Sequence, residues 1–324
     1  MSRIKWGILG TANVAAWGMI PGMKQAENSE LYAIAGRSIE KAERYKNDFG
    51  FEKAYGSYDE LLADEAVEAV YIPLPNDIHL KWVEAALKAG KHVLCEKPMA
   101  MNAEECRQMH QTARDCGRFL MEAYAYLHSP YVKSLKETVL SGAIGKVDFI
   151  DTAFLTQGYK EDFRLHKEQG GGAMYDLGCY CTTMILSLID SDPVFVKASA
   201  EFSDLGVDLM TAGLIRFANG ARANFNVGMM LGVNTNSRYD RLFIHGDRGV
   251  IRSEVEYNQE GEVSYRIITG DGVTEKKVTV PHNYALEVEQ MGRCIRGEEK
   301  PHITAAFSIK NAKLIDSVLK EIGY

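Results

Sequence analysis

Short apolar runs alternate with helix-patterned stretches through the first third of the chain, and that rhythm leaves few folds open. Residues 4–9 read as a strand and 12–25 as a helix. Residues 31–36 read as a second strand and 38–48 as a polar-faced helix. A strand at 68–73 precedes a helix over 77–89, and then come a strand at 91–95, a helix over 103–116 and a strand at 119–122. Strands parted by helices at this spacing build βαβ units and a parallel sheet. Right-handed crossovers make that sheet doubly wound.

The pattern changes after about residue 123. A helix over 130–141 leads to an alternating strand at 146–155, and Gly170, Gly171 and Gly172 open another helix. Strand-like runs with Gly, Asn and Asp turns follow at 195–202, 211–217, 221–228, 240–245, 249–256, 262–268 and 274–280. Short turns between strands favour an antiparallel sheet. The tail is helical over 283–296 and 305–322. The expected class is α/β: an N-terminal doubly wound (Rossmann) sheet over 1–122, then an α+β domain with a large, mostly antiparallel open sheet over 123–324.

A chain of 324 residues exceeds one ordinary core, and 46% hydrophobic residues supply enough apolar material for two. A formal charge of −7 argues against a nucleic-acid partner. No long apolar run suggests a membrane span. The start, Met1-Ser2-Arg3-Ile4, enters a strand without an apolar leader, so a cytoplasmic location is expected. Six cysteines form no Cys-x-x-Cys pair and eight histidines no ligand spacing, so no metal is expected and the cysteines read as reduced, small hydrophobes. Cys179 and Cys181 are two apart and face different ways on a helix.

The first strand runs into Gly10-Thr11-Ala12-Asn13-Val14-Ala15, a dinucleotide fingerprint with alanine at its second and third small positions. The glycine permits a tight turn, and the helix start offers free N–H groups to a pyrophosphate. A generic strand-to-helix turn has the same outline. At the end of the second strand, where NAD-selective sites place an acid, the chain has Gly36-Arg37-Ser38. A guanidinium and a hydroxyl suit a 2′-phosphate, which points to NADP, with NAD still possible. Ser38 also reads as a helix N-cap with Glu40 in the first turn, and both readings can hold.

Three residues carry candidate chemistry. The run from Gly90 to Pro98 reads as a buried strand whose tip presents Glu96 and Lys97. Asp176 and Tyr180 stand four apart on the expected helix after the glycines and share a face. A phenol near an ammonium is a better proton donor and acceptor near neutrality. A surface lysine, a helix-start aspartate and a core tyrosine are the plain alternative.

Gly10-x-Ala12-x-x-Ala15, Pro75-Asn76-x-x-His79, Gly90-Lys91-His92-Val93-x-Cys95-Glu96-Lys97-Pro98 and Gly170-Gly171-Gly172-x-x-x-Asp176-x-Gly178 occur in order. In these blocks the whole chain resembles the glucose-fructose oxidoreductase/inositol dehydrogenase (Gfo/Idh/MocA) family. Tyr180, where many members have histidine, resembles the branch holding glucose-fructose oxidoreductase, dimeric dihydrodiol dehydrogenase and NADP-dependent D-xylose dehydrogenase. The blocks Ala54–Leu61 and Leu120–Ala123 resemble that branch too.

The resemblance implies a hydride-transferring enzyme acting on a sugar, polyol or cyclic diol. Lys97 would lie beside the nicotinamide and substrate hydroxyl, with Tyr180 as general acid/base and Asp176 assisting. Asn76 and His79 would flank the nicotinamide, with Pro73 and Leu74 also on the cofactor and Glu96 at its ribose. Lys97-Pro98 would be cis, and Arg164 would bond substrate hydroxyls. The segment Glu122–His128 falls where members line the pocket, which brings in Tyr126. His128 takes the place of a common arginine, and ordinary packing is open for both. A homodimer or higher homo-oligomer through the open sheet is implied. An inositol- or amino-sugar-type NAD dehydrogenase, an NAD-dependent glycosidase and a non-catalytic nucleotide sensor on the same fold are the rivals.

Overall fold

The computed structural model describes residues 3–159, 161–232, 237–254 and 257–324. The last two residues of the strand expected at 249–256, and Met1 and Ser2 of the N-terminal reading, lie outside the described residues. The chain forms two compact units, Met1–His128 with Pro281–Ile309 and Ser129–Val280 with Lys310–Tyr324. The segment Pro281–Ile309 returns to the first unit over a long stretch of chain, an association that local patterning does not carry.

Among the described residues the first unit holds a six-stranded sheet. Its strands are β1 (Ile4–Leu9), β2 (Ser29–Ala35), β3 (Lys53–Tyr55), β4 (Ala69–Ile72), β5 (His92–Glu96) and β6 (Leu120–Ala123). The order is β3-β2-β1-β4-β5-β6, and every neighbouring pair is parallel. The order reverses between β1 and β4, where open α/β sheets bind ligands at their carboxyl ends. The helices between are α1 (Ile20–Gln25), α2 (Ile39–Phe49), α3 (Tyr58–Ala63), α4 (His79–Lys88) and α5 (Ala103–Asp115). Side-chain caps start α2, α3 and α5: Ser38, Ser57 and Asn102 accept the N–H groups of Lys41, Glu60 and Glu105. Trp6, Ile8, Ile34, Tyr71, Val93 and Met121 are fully enclosed around the sheet. Each enclosed aliphatic side chain contributes about 1.5–3 kcal/mol.

The second unit contains α6 (Pro130–Leu140), β7 (Val147–Gln157) and α7 (Cys179–Leu188), then β8 (Pro193–Phe202), β9 (Asp208–Phe217) and β10 (Arg222–Leu231). It continues with β11 (Arg238–Gly246), β12 (Gly249–Ser253), β13 (Gly261–Thr269) and β14 (Gly272–Val280). The eight strands run β14-β13-β12-β11-β7-β10-β9-β8. Only the β7–β10 pair among them is parallel, because the chain between 157 and 222 makes a crossover that includes α7. One face is apolar, with Phe225, Thr152 and Leu242 buried in one row and α7 packed over β7 and β10. Phe225 fits only because Gly213 opposite it is bare: a Cβ there would lie 2.4 Å from the ring. The other face carries Lys197, Leu214, Asn224, Asp151, Phe243, Arg252, Arg266 and Glu275 in one row across the sheet, none of them buried. The tail forms α8 (Asn283–Ile295) and α9 (Ala305–Ile322). Among the described residues no helix is long and apolar enough to cross a membrane.

Candidate functional site

In the first unit, β1 ends at a turn that needs glycine. Gly10 has φ of 114°, its N–H bonds the Ala35 carbonyl at 2.8 Å, and a Cβ there would meet Leu74 Cδ2 at 3.0 Å. Ala15 is the first residue whose N–H turns back, to the Ala12 carbonyl at 3.1 Å. The N–H groups of Thr11, Ala12, Asn13 and Val14 therefore form the open start of a helical run, the arrangement that receives a pyrophosphate. Ala15 is buried, and the run begins as a π-turn over Ala15–Met19 before settling into α1. Tyr284 of α8 packs against Gly18 and Gly22, where Cβ atoms would stand 2.8 and 2.6 Å from it. The bare cradle at Gly10, the free N–H groups and the strand reversal together fit a dinucleotide.

At the end of β2, Ser38 is engaged locally. It accepts the Lys41 N–H at 3.4 Å and donates to Glu40 Oε2 at 2.5 Å, which holds the Glu40 carboxyl below its usual pKa. Arg37 is exposed at the strand tip.

The ends of β4 and β5 are tied together by His79. Its ring is enclosed, with Nε2 2.8 Å from the Leu74 carbonyl and Nδ1 3.1 and 3.2 Å from those of Pro98 and Met99. Burial pulls its pKa down against the opposing pull of those carbonyls. The ring nitrogens thus serve the backbone on which Leu74 and Lys97 sit, and Pro73 lies one residue before that braced carbonyl. Asn76 is buried at the start of the turn into α4. Lys97-Pro98 is cis. The Lys97 N–H donates to Glu96 Oε2 at 3.1 Å, and the buried Tyr71 hydroxyl donates to Glu96 Oε1 at 2.5 Å. The Met99 N–H donates to Glu122 Oε1 at 2.9 Å, and burial pushes the Glu122 carboxyl up to about 7. Tyr126 and His128 are interior side chains. Tyr126 meets Tyr124 edge-on at 6.3 Å, and His128 stacks on His302 at 5.3 Å with Nε2 3.8 Å from Glu287 Oε1.

In the second unit the structure joins Arg164 to Asp176. Arg164 Nε lies 2.8 Å from Asp176 Oδ2, its Nη1 lies 3.0 Å from Asp162 Oδ1, and the guanidinium covers the Phe163 ring at 4.7 Å. Three glycines make that pairing geometrically feasible. Gly171 donates to the His166 carbonyl at 3.0 Å and Gly172 to the Arg164 carbonyl at 2.8 Å. A Cβ on Gly171 would fall 2.5 Å from the Arg164 oxygen, and one on Gly172, at φ of 100°, would fall 2.1 Å from Asp208 Oδ1. Asp208 is buried at the start of β9, where its Oδ2 accepts from the Met174 N–H at 2.9 Å and from Thr211 Oγ1 at 2.5 Å. It caps the helical run carrying Asp176 and Tyr180, although burial raises its own pKa to about 6. The run opens as a π-turn over Met174–Gly178, and such turns are frequent at functional sites. The Tyr180 ring meets Phe154 edge-on at 5.4 Å and Tyr257 at 5.3 Å.

Sequence reasoning missed Asp208, Tyr257 and the anchoring role of Glu122. Their bonds span long stretches of chain, and no local spacing announces them. Glycine at three successive positions was the one local sign that something presses on that turn.

Two family models match the chain. One, described as "Oxidoreductase family, NAD-binding Rossmann fold", covers residues 4–124, and the other, "GFO/IDH/MocA C-terminal domain", covers 132–252. An uncharacterized oxidoreductase of Rhizobium meliloti is 32% identical over 98% of this chain and 96% of its own length. The chain belongs to the Gfo/Idh/MocA oxidoreductase family. Other relatives of this Gfo/Idh/MocA protein have named activities. A D-xylose 1-dehydrogenase (NADP(+)) of Haloferax volcanii is 31% identical over 97% of this chain and 95% of its own. A trans-1,2-dihydrobenzene-1,2-diol dehydrogenase of Xenopus tropicalis is 29% identical over 98% of both chains. The crystal structure of a 3-ketoreductase from Actinomadura kijaniata, in complex with NADP and TDP-benzene, superposes with a TM-score of 0.92 at 26% identity, over 99% of this chain and 98% of that one.

Proposed function

We propose that this Gfo/Idh/MocA oxidoreductase uses NADP in preference to NAD and acts on a hydroxyl or carbonyl carbon of a sugar, polyol or cyclic diol. The Arg164–Asp176 pair carries the substrate class, because a half-buried cation and a buried carboxylate side by side can donate to and accept from neighbouring hydroxyls. The named activities of the relatives support the same class. Arg37, with no acid at the β2 tip, supports NADP.

The nicotinamide supplies or receives the hydride. Residues 1–122 hold the nucleotide: the N–H groups of Thr11 to Val14 take the pyrophosphate, Arg37 the 2′-phosphate, and Glu96 the ribose. Pro73, Leu74 and Asn76 border the nicotinamide, and His79 braces the turns beneath it. Residues 123–324 hold the substrate. Tyr180 takes the hydroxyl proton during oxidation and returns it during reduction, while the Lys97 ammonium steadies the oxygen as charge develops. Asp176 and Arg164 orient the neighbouring hydroxyls. Tyr126, being interior, is assigned to shaping the segment that bears it.

Six free cysteines suit the reducing cytoplasm. The uncovered sheet face suits a second copy of the chain, and a monomeric sedimentation coefficient at micromolar concentration would remove that assignment.

A panel of aldoses, polyols and cyclic diols with NADP+ and with NAD+ tests the reading. Lys97→Ala and Tyr180→Phe should each lower kcat about 10²- to 10⁴-fold with nucleotide affinity nearly intact. Nucleotide binding without turnover on any member of the panel would favour the sensor instead.

A further inference from the structure

Lys97 sits on a tip whose flanking backbone is gripped from several sides. Its own N–H is taken by Glu96, the Pro98 and Met99 carbonyls face His79, and the Met99 N–H is taken by Glu122. Glu122 is the third residue of the four-residue β6 and lies opposite Cys95 across the β5–β6 pair. The carboxyl therefore reaches the turn from the neighbouring strand and closes it against the sheet. Its second oxygen, Oε2, is buried, and the Ser308 and Tyr124 side chains face the carboxyl.

We propose that Glu122 is a positioning residue for Lys97, which fixes the strand tip through the Met99 N–H and loosens it on taking up a proton. The idea rests on the assignment of Lys97 to the substrate oxygen. Ionised, the carboxylate makes a charge-assisted bond roughly twice as strong as the neutral one. The groups facing it leave it poised near neutrality. Burial opposes ionisation and so does Glu96 at the end of β5; Ser308 of α9, the Met99 N–H and Tyr124 favour it. The Cys95 thiol, buried beside it, is pushed far above its usual value and stays neutral. His79, on the far side of Met99, is pulled below its usual pKa by burial, against the upward pull of the Leu74, Pro98 and Met99 carbonyls. Glu122 is thus the carboxyl at this tip whose ionisation falls at about 7.

The discriminating variant is Glu122→Gln, which keeps an oxygen for the Met99 N–H and removes the proton. Wild-type kcat should climb with pH through a midpoint near 7, the value set by burial of Glu122. The Gln variant should lose that limb and show a plateau about three- to tenfold lower, with substrate KM and NADPH affinity within about twofold of wild type. Infrared difference titration of the protein without nucleotide should show a protonated-carboxyl band that disappears on ionisation near pH 7 and is absent from the Gln variant. Glu122→Asp, which keeps the proton but withdraws from Met99, should retain a limb and lose kcat. An unchanged limb in the Gln variant, a missing band in wild type, or full kcat in the Asp variant would each overturn the proposal. Lys97→Ala separates the two readings: full turnover there defeats the lysine assignment itself, whereas an inactive Lys97→Ala with an unaltered Gln profile defeats only the role of Glu122.

Discussion

Arg37 and Ser38 stand side by side at the tip of β2, yet their side chains are committed differently. The Ser38 hydroxyl is already shared between the helix it caps and Glu40, while Arg37 is exposed. Selectivity for a 2′-phosphate then falls mainly to the guanidinium. Arg37→Ala should weaken NADPH by about 10- to 100-fold, the loss of charge-assisted bonds worth about 1.5–3 kcal/mol, and leave NADH nearly unchanged. Equal losses in fluorescence titrations with the two nucleotides would contradict this. At this scale much of the candidate site was legible, because Gly10, Lys97, Asp176 and Tyr180 fall in blocks with fixed spacing. Arg164 and Asp176 were each visible, but not their 2.8 Å pairing, which depends on how the intervening chain folds back. His79 shows the opposite limit. Its motif was plain, but only coordinates reveal a ring whose nitrogens are occupied with three carbonyls.

The glycine turn and the helix it launches behave as one element. Gly172→Ala would put a methyl against Asp208 Oδ1 at an unfavourable φ, so stability should fall by about 2–4 kcal/mol with kcat falling too. Asp208→Ala would strand the Met174 N–H and the Thr211 hydroxyl in the interior at a cost of about 1–3 kcal/mol, and Asp208→Asn should recover most of it. Urea denaturation reads both, and an Asp208→Ala protein as stable as wild type would discredit the anchor. The helices expected from 38, 103 and 130 start within a residue of the Ser38, Asn102 and Ser129 caps, whereas α3 was not legible in spite of its Ser57 cap, being too short to show a period. Nor was β3, because three residues are too few to show an alternation. The π-turns were invisible for another reason: they use the same residue types as the α-helices they open into.

For the molecule as a whole, two buried carboxyls draw stability down as pH rises, against His79, His92 and His110, whose lowered pKa values act the other way. Glu122 and Asp208 have folded pKa values raised by burial to about 7 and about 6. Between their unfolded and folded values the folded chain binds more protons than the unfolded one, so stability falls as pH rises through that window. Asp64 works the other way at lower pH. Although burial opposes its ionisation, bonds from Tyr55 and Lys53 hold its carboxyl at about 2, so its contribution is present above the ordinary aspartate value and lost as pH falls toward about 2. In thermal melts Glu122→Gln should gain in Tm relative to wild type as pH rises from about 5 to 7, because wild type alone loses the Glu122 contribution there. Identical slopes in the two proteins would show that Glu122 does not titrate there. The doubly wound sheet and the mostly antiparallel one were both legible from periodicity. The return of Pro281–Ile309 to the first unit was not, since it is decided by packing such as Tyr284 against Gly18 and Gly22.

Although β7 and β10 are direct neighbours, the chain between them crosses over through α7 and lays down β8 and β9 on the same sheet before β10 returns beside β7. Arg164, the three glycines, Asp176, Tyr180 and the Asp208 that anchors them all lie between β7 and β10 in the chain. Exchanged whole between relatives, that stretch would carry the residues proposed to recognise substrate together with their scaffolding, so a chimera should shift its substrate preference with one contiguous stretch of gene.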